Sequence, residues 1–318
     1  MEKAMRYAYE VYREKSFSQA AKRLYVSQPA LSLTIRKLEE DLGLQIFDRT
    51  TKPISLTAEG KVYMETAQHI LRLTEQLDSY INDRRTLKTG QLTVAAPHLF
   101  LVHLLPRIIG KFAQDEVLVD FSLLEGDSIQ LREMLLSDKT DLIIDTTEYE
   151  PDLLVQYKLL EENILLVVPA ANPLNGDLTQ YALTLEEVRS GAFLEDRFPQ
   201  VPLERFRNEH FLTQRRGQDM HDRALQLCRS SGFEPQSHLH VNQLITALDL
   251  IRQDRGVTFA SDTSIRAVGN CEGMVFYKLD PEIAHRTVYI SYRKSRYVTL
   301  AMQKFIQIAV GQTPPVKL

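Results

Sequence analysis

The chain is poor in cysteine, with only Cys228 and Cys271 among 318 residues. Two thiols without paired spacing exclude a disulfide framework and a Cys-type zinc site, and both are expected to be ordinary thiols. Long apolar runs are also missing. None reaches the roughly 18 residues that span a bilayer, and a stretch such as Asn163–Ala171 has only the length of a core strand. The first ten residues carry charges and hold no apolar stretch. No secretory leader, no membrane association and a cytoplasmic location are therefore expected. Catalytic signatures are absent as well: no G-x-S-x-G elbow, no Gly-rich phosphate loop, no H-E-x-x-H. The eight histidines are scattered, and His238 and His240 share an expected strand without a third ligand. No catalytic residue, metal or cofactor is expected.

A strong positive charge is lacking too. The net charge is −4, unevenly spread. Residues 1–90 hold 15 Lys and Arg against 12 Asp and Glu, a net of +3, whereas residues 91–318 hold 23 against 30, a net of −7. Any binding of nucleic acid must fall to the N-terminal end, with modest electrostatic strength per copy.

Three patterns follow one another. Residues 1–57 show short helical periods and tight turns. Residues 58–88 read as one long helix without Pro and with Gly60 as its only Gly, in the first turn, ended by Gly90. From Gln91 onward, β-rich runs (Leu92–Ala96, Val117–Leu124, Leu142–Asp145, Ile164–Pro169, Val257–Ala260, Thr287–Ser291) alternate with helical stretches such as Leu101–Phe112 and Asp219–Ser231. Such alternation argues for parallel α/β sheets.

Within the first region, Ser16 or Ser18 suits the cap of a short helix running to about Leu24, and Tyr25 and Val26 form a turn. Ser27 suits the cap of a second helix, which tolerates Pro29 in its first turn. Leu31, Ile35 and Leu38 turn one face inward. The other face carries Gln28, Pro29, Ser32, Leu33 and Arg36, a short hydrogen-bonding surface fit for a major groove. Phe47–Leu56 fits a hairpin with Arg49 and Lys52 near its tip, where cations would meet phosphates. Each helix alone would equally well make a small core.

The run SFSQAAKRLYVSQPALSLTIRKLEEDLGLQIFDRTTKPISLTAEG, from Ser16, resembles the N-terminal signature of the LysR-type transcriptional regulators. The shared features are the Ala-Ala pair, Ser-Gln-Pro-Ala-Leu-Ser, Leu-Glu-x-x-Leu-Gly, the Ile-Phe-x-Arg wing entry and the Leu-Thr-x-x-Gly exit. The resemblance implies contacts to duplex DNA from Ser27, Gln28, Pro29, Ser32 and Arg36, with Arg49 and Lys52 on the wing. It departs at Leu33, where the family usually has Arg. A polar base contact is absent there or replaced by an apolar one, such as with a thymine methyl. Arg36 has Glu40 at i+4 as an alternative partner.

Tyr63, Thr66, Ile70, Leu73, Leu77, Tyr80 and Leu87, with Arg84 in the remaining place, fall at 3- and 4-residue spacings, a heptad seam that calls for a partner helix. The resemblance implies the same: homodimers through the linker, and homotetramers from them. Farther on, Leu-Leu-Pro after a strand, then LLEGDSIQLREMLLSDKTDLIIDT, LVVPAANPL, GFEP and RGVTFASD resemble the family's effector domain in order and spacing. The implied fold class is α/β: an N-terminal winged helix-turn-helix (1–57), a long linker helix (58–89), and a C-terminal two-subdomain α/β domain of periplasmic-binding-protein type (90–318). Its subdomains are expected at roughly 90–166 plus 271–318, and at 167–270.

Ligands of open α/β sheets sit beyond the carboxyl ends of strands. That places a small-molecule effector, of which a carboxylate is one class, near Pro97, His98, Leu99, Phe100, Asp127, Ser128, Thr146 and Thr263, with Gln214, Arg215 and Asn242 from the facing lobe. Polar residues at strand ends are also common helix caps, and Arg215–Arg216 also reads as a solvated pair. The segment Glu195–His210 reads as a lid or a surface loop. Two other classes compete: a substrate-binding protein, and a DNA-binding protein whose C-terminal domain is purely structural.

Overall fold

The computed structural model describes residues 2–85, 89–113, 118–216 and 218–311. The chain forms two compact units, Met1–Thr86 and Leu87–Leu318. Among the described residues, no helix is long and apolar enough to cross a membrane.

The first unit contains α1 (Glu2–Glu14), α2 (Phe17–Arg23), α3 (Gln28–Leu42), a two-stranded wing of β1 (Phe47–Asp48) and β2 (Ser55–Leu56), and α4 (Ala58–Arg85). Its core is small: Ala8, Val11, Ala20, Leu31, Ile35 and Ile46 are all fully buried. Ala20 and Ala21 let α1, α2 and α3 cross closely, as small side chains permit. Helix α4 is described as far as Arg85, short of the expected 88. Thr89 and Gly90 already belong to a strand, so Gly90 sits inside a ladder rather than acting as a stop.

The second unit is a pair of α/β lobes. The first lobe begins with β3 (Thr89–Ala96), α5 (His98–His103), α6 (Leu105–Ala113), β4 (Leu118–Glu125), α7 (Ser128–Leu136) and β5 (Leu142–Asp145). Leu101–Phe112, expected as one helix, breaks at Leu104, because Pro106, in the first turn of α6, has no N–H to donate back to the Val102 carbonyl. The chain then crosses on β6 (Leu154–Pro169) and runs through α8 (Leu174–Asp177), β7 (Ala182–Leu183), α9 (Leu185–Ser190), β8 (His210–Gln214), α10 (Asp219–Ser230), β9 (Gln236–Val241), α11 (Leu244–Arg252), β10 (Val257–Ser261), α12 (Asp262–Val268), β11 (Met274–Lys278) and α13 (Pro281–Ala284). It returns on β12 (His285–Arg293) and closes with α14 (Leu300–Val310).

The strand order is β4-β3-β5-β12-β6-β10-β8-β9, with β11 and β7 beside the far half of β6. The pairings are mixed rather than all parallel. Strands β3, β4 and β5 are parallel, as are β8, β9 and β10, but β6 and β12 run against their neighbours. Residues 154–163 of β6 pair with β12, whereas 164–169 pair with β10 and β11. The lobes therefore change over inside one strand near residue 163, and again at 284–285. The second lobe is longer than the expected 167–270: β11 and α13 belong to it. Strand β6 runs on through Asn163 without a turn at the first crossing, which is why the pattern of the sequence misplaces the boundary.

Alternation along β6 sorts the second lobe into two cores. Ile164, Leu166 and Val168 face one side with Phe206, Phe211 and Cys228, and Leu165 and Val167 face the other with Ile251, Ile265 and Cys271. The segment Glu195–His210 is anchored by buried Val201, Leu203 and Phe206, which makes it a packed part of the lobe and not a lid.

Candidate nucleic-acid interface and ligand cleft

The reading head is built from local signals. The Ser16 hydroxyl accepts from the Gln19 N–H at 3.4 Å to start α2. Tyr25 takes a left-handed φ of 54° in the turn, and the Ser27 hydroxyl accepts from the Ala30 N–H at 3.3 Å to start α3. Leu31, Ile35 and Leu38 are buried on one face. Gln28, Pro29, Leu33 and Arg36 are exposed on the other, with Ser32 half-buried among them. Leu33 is 68% exposed, a large apolar side chain in water at the centre of this surface. Arg36 donates to Glu40 at 3.0 Å, with both side chains mostly exposed. Such a pair is worth at most about 1 kcal/mol, less than the ~1–3 kcal/mol of a bidentate contact to guanine. A base or phosphate would win Arg36 from Glu40.

The wing is held by a residue that sequence reasoning passed over. Glu39 is 9% exposed. Its carboxylate accepts from the Ile46 N–H at 2.9 Å, the Phe47 N–H at 3.2 Å and Arg49 Nη2 at 2.9 Å. The Arg49 guanidinium also lies 5.2 Å from the centre of the Phe17 ring. Arg49 thus fastens the base of the wing, away from the tip where it was expected, while Lys52 stands exposed in the turn. The motif Leu-Glu-x-x-Leu-Gly holds the signal for Glu39, since an acid next to the buried Leu38 needs internal donors. Glu39→Ala should destabilise the first unit by about 2 kcal/mol, because it leaves two amides and a guanidinium without their acceptor. Thermal melts of the full chain would check this, and an unchanged lower transition would refute it.

The exit motif acquires a physical reason as well. The Thr57 hydroxyl accepts from the Gly60 N–H at 2.8 Å and caps α4. A Cβ on Gly60 would stand 2.0 Å from the Ile46 carbonyl oxygen, so only glycine lets the helix start against the wing.

Along α4, two faces separate. Met64, Ala67 and Leu71 are buried, the last two against Met5 of α1. Tyr63 packs in the same unit, which removes it from the expected seam. Thr66, Ile70, Leu73 and Leu77 face away, and Ile70, Leu73 and Leu77 are 39%, 51% and 57% exposed. Leu87 lies outside the described residues, as does the side chain of Tyr80.

In the second unit the expected effector residues do gather at strand ends. His98 Nδ1 donates to the Glu125 carboxylate at 3.1 Å, so a carboxylate of the chain's own already sits at the start of α5. Asp127 is committed to capping: its side chain accepts from the Gln130 N–H at 2.9 Å in a capping box, and Ser128 is merely the first residue of α7. Pro97 caps α5, Leu99 packs partly buried against the first-lobe core, and Phe100 is a core residue at 3% exposure. Thr146 follows β5 and Thr263 is the second residue of α12, both half-buried. From the second lobe, the Gln214 carbonyl accepts from His221 at 2.9 Å, and the Asn242 carbonyl accepts from Gln218 at 3.3 Å. Arg215 lines a groove belonging to the second lobe alone.

A charged network at the crossing was not foreseen. Arg286 Nε donates to Glu162 at 2.7 Å, and its Nη1 donates to Asp219 at 2.5 Å. Asp219 also accepts from Arg223. Glu162 further accepts from the Ser261 hydroxyl, and the Asn163 N–H donates to Asp262. These bonds tie both crossing strands to α10 and α12 of the second lobe. Asp145, at the end of β5 in the first lobe, adds an acid near Asp219. It accepts from the Tyr149 hydroxyl at 2.7 Å. Burial pushes its carboxyl from 3.8 up to about 6, Asp219 adds to the rise, and bonds from Tyr149 and Thr147 oppose it.

The native state therefore holds this proton more tightly than the unfolded chain between pH 3.8 and about 6. Stability falls as pH rises through that window, by up to about 3 kcal/mol. Asp145→Asn keeps an acceptor for Tyr149, so it should match the parent below the window and be the more stable chain above it. Melts of both proteins across the window test this, and parallel curves throughout would sink it.

Comparison with known proteins agrees with this architecture. The family described as "Bacterial regulatory helix-turn-helix protein, lysR family" matches residues 3–61, and "LysR substrate binding domain" matches 85–195 and 188–313. The uncharacterized HTH-type transcriptional regulator YcgK of Bacillus subtilis is 30% identical over 96% of this chain and 93% of its own length. Full-length OxyR of Pseudomonas aeruginosa superposes with a TM-score of 0.68 at 21% identity, covering 98% of this chain and 93% of that one. CbnR, solved in complex with its target DNA, gives a TM-score of 0.64 at 20% identity, covering 97% of this chain and 98% of its own. The exposed face of α3, the wing and the two-lobed domain thus have one explanation: the chain belongs to the lysR family of bacterial regulatory helix-turn-helix proteins and is a DNA-binding transcriptional regulator with an effector-binding domain.

Proposed function

We propose that the regulator reads its operator with Ser27, Gln28, Pro29, Ser32, Leu33 and Arg36 in a major groove and Lys52 on flanking phosphates, and that a small polar metabolite held between its two lobes changes how paired copies sit on DNA. The observation that carries the reading is the exposed polar face of α3, backed by a face that is wholly buried. The exposed row Ile70, Leu73 and Leu77 supports pairing through α4, since lone apolar residues at heptad spacing bury best against a second copy. Two heads would double the phosphate contacts and offset the small +3 charge of each.

The ligand acts as a population shift. Two crossing strands and the Arg286 network join the lobes, and the buried Asp145 of the first lobe lies close enough to Asp219 of the second to feel its charge. A ligand held between the lobes would favour one lobe angle. Footprinting of the purified full chain on DNA upstream of its own and neighbouring genes, with and without a metabolite panel that includes carboxylates, tests both parts. A protected site whose length or bend changes with one metabolite supports the reading. A footprint identical under every saturating metabolite rejects the ligand link, and no protected site rejects the operator link. No catalytic step is assigned to any residue.

Several relatives are named as hydrogen peroxide-inducible genes activators, at 24% identity. The thiols here do not suit that chemistry. Burial pushes Cys228 up to about 12 and raises Cys271 also. The two lie in cores on opposite faces of the second-lobe sheet and cannot pair without unfolding it. The native protein should react with a disulfide reagent at least 100-fold more slowly than the denatured chain, and its DNA binding should be indifferent to peroxide. Rapid labelling of either thiol in the native state would overturn this.

A further inference from the structure

The second lobe carries a concavity of about 910 Å³ beside α10 and the edge strand β9. All its lining residues fall between 213 and 240, within one lobe, so it is separate from the space between lobes. The volume lies in the range of small-molecule sites.

Its chemistry runs against its surroundings. Residues 91–318 carry a net charge of −7, yet Arg215 and Arg216 stand side by side on this wall, both exposed. Among the described residues neither has an acidic side chain within ion-pair distance. Arg229, on the opposite wall, is already neutralised by Glu234 at 2.7 Å, which leaves Asp222 as the single unpaired acid of the lining.

The floor is ordered to present polar groups. Thr213, only 4% exposed, has its hydroxyl 2.7 Å from that of Ser237 and 2.8 Å from Nδ1 of His240. His221, 8% exposed, donates its Nδ1–H to the Gln214 carbonyl, which leaves Nε2 for another partner. Hydroxyls and imidazoles fixed in this way suit the hydroxyl groups of a ligand. Two adjacent guanidinium forks suit an oxyanion of double charge, which they bind with paired short hydrogen bonds.

We propose that this groove is a second ligand site, distinct from the space between the lobes, for a small organic phosphate whose phosphoryl group sits on Arg215 and Arg216 and whose hydroxyls face Thr213, Ser237 and His240. Isothermal titration of the full-length protein with glycerol 3-phosphate, inorganic phosphate and neutral glycerol tests it. Glycerol 3-phosphate should bind more tightly than inorganic phosphate, and glycerol should not bind. Arg215→Ala/Arg216→Ala should weaken the ester at least 10-fold with an unchanged circular dichroism spectrum, as both side chains are exposed. Thr213→Val should weaken the ester but not inorganic phosphate. Asp145→Asn, buried at the end of β5 beside the junction of the lobes, should leave all three titrations as they were. Failure of both phosphates to bind, or affinity that survives the double arginine variant, would overturn the assignment. Loss of binding in Asp145→Asn alone would overturn it too, by moving the phosphate to the space between the lobes.

Discussion

A chain carrying Gln28→Ala, Ser32→Ala and Arg36→Ala together will fold and assemble as the parent does, yet enrich no sequence from a pool of randomised duplexes. All three side chains project from α3 on the face opposite Leu31 and Ile35, so their removal opens no cavity. Losing two or three base contacts of ~1–3 kcal/mol each lowers operator affinity by roughly 10²–10⁴-fold, while non-specific attraction from Lys52 and the backbone amides persists. Arg36 gives up only its weak exposed pair with Glu40. Leu33→Arg is the companion experiment. It replaces an apolar surface by a fork for guanine, so the selected sequence should shift at one position toward G. Should the triple variant select the same DNA as the parent at equal strength, α3 is not the reading element.

Arg286→Met will have the largest effect on stability. Glu162 is fully buried, and Arg286 is its cationic partner, at 2.6–2.7 Å. Removal of the cation leaves a buried carboxylate facing Asp219, at a cost of about 3–5 kcal/mol. For a unit of this size that corresponds to a fall in melting temperature of roughly 10 °C. The cost belongs to the uncompensated charge and not to lost volume, since methionine fills similar space. Glu162→Met added to Arg286→Met should therefore regain most of the loss, because Asp219 keeps Arg223. A single variant that melts with the parent, or a double variant worse than the single, would remove the network from its place as the tie between crossing strands and second lobe.

The reading head was legible because each of its signals is local. Ser27 three residues before Ala30, Pro29 in a first turn and Leu31, Ile35 and Leu38 on one face specify α3 wherever it sits. Seam residues Ile70, Leu73 and Leu77 were legible for the same reason, whereas Tyr63 was misassigned because periodicity tells a buried stripe from a polar one but not which partner covers it. The strand-end residues were legible as positions in the chain, whereas the bonds they make were not. Asp127 spends its carboxylate on Gln130, and Arg215 faces a groove that no spacing announces.

What the sequence determined by itself is the kind of protein: short-range caps, turns and apolar periods, together with a contiguous signature, suffice for a winged helix-turn-helix, a long helix after it and an α/β domain. The tertiary structure alone decided where the lobes cross, that Glu39 and Arg49 brace the wing, and that Glu162, Asp219 and Arg286 meet. Those contacts join residues up to 124 positions apart. Buried charges are stable only when a partner from elsewhere in the chain completes them, so the choice of partner is made by packing and not by neighbours in sequence.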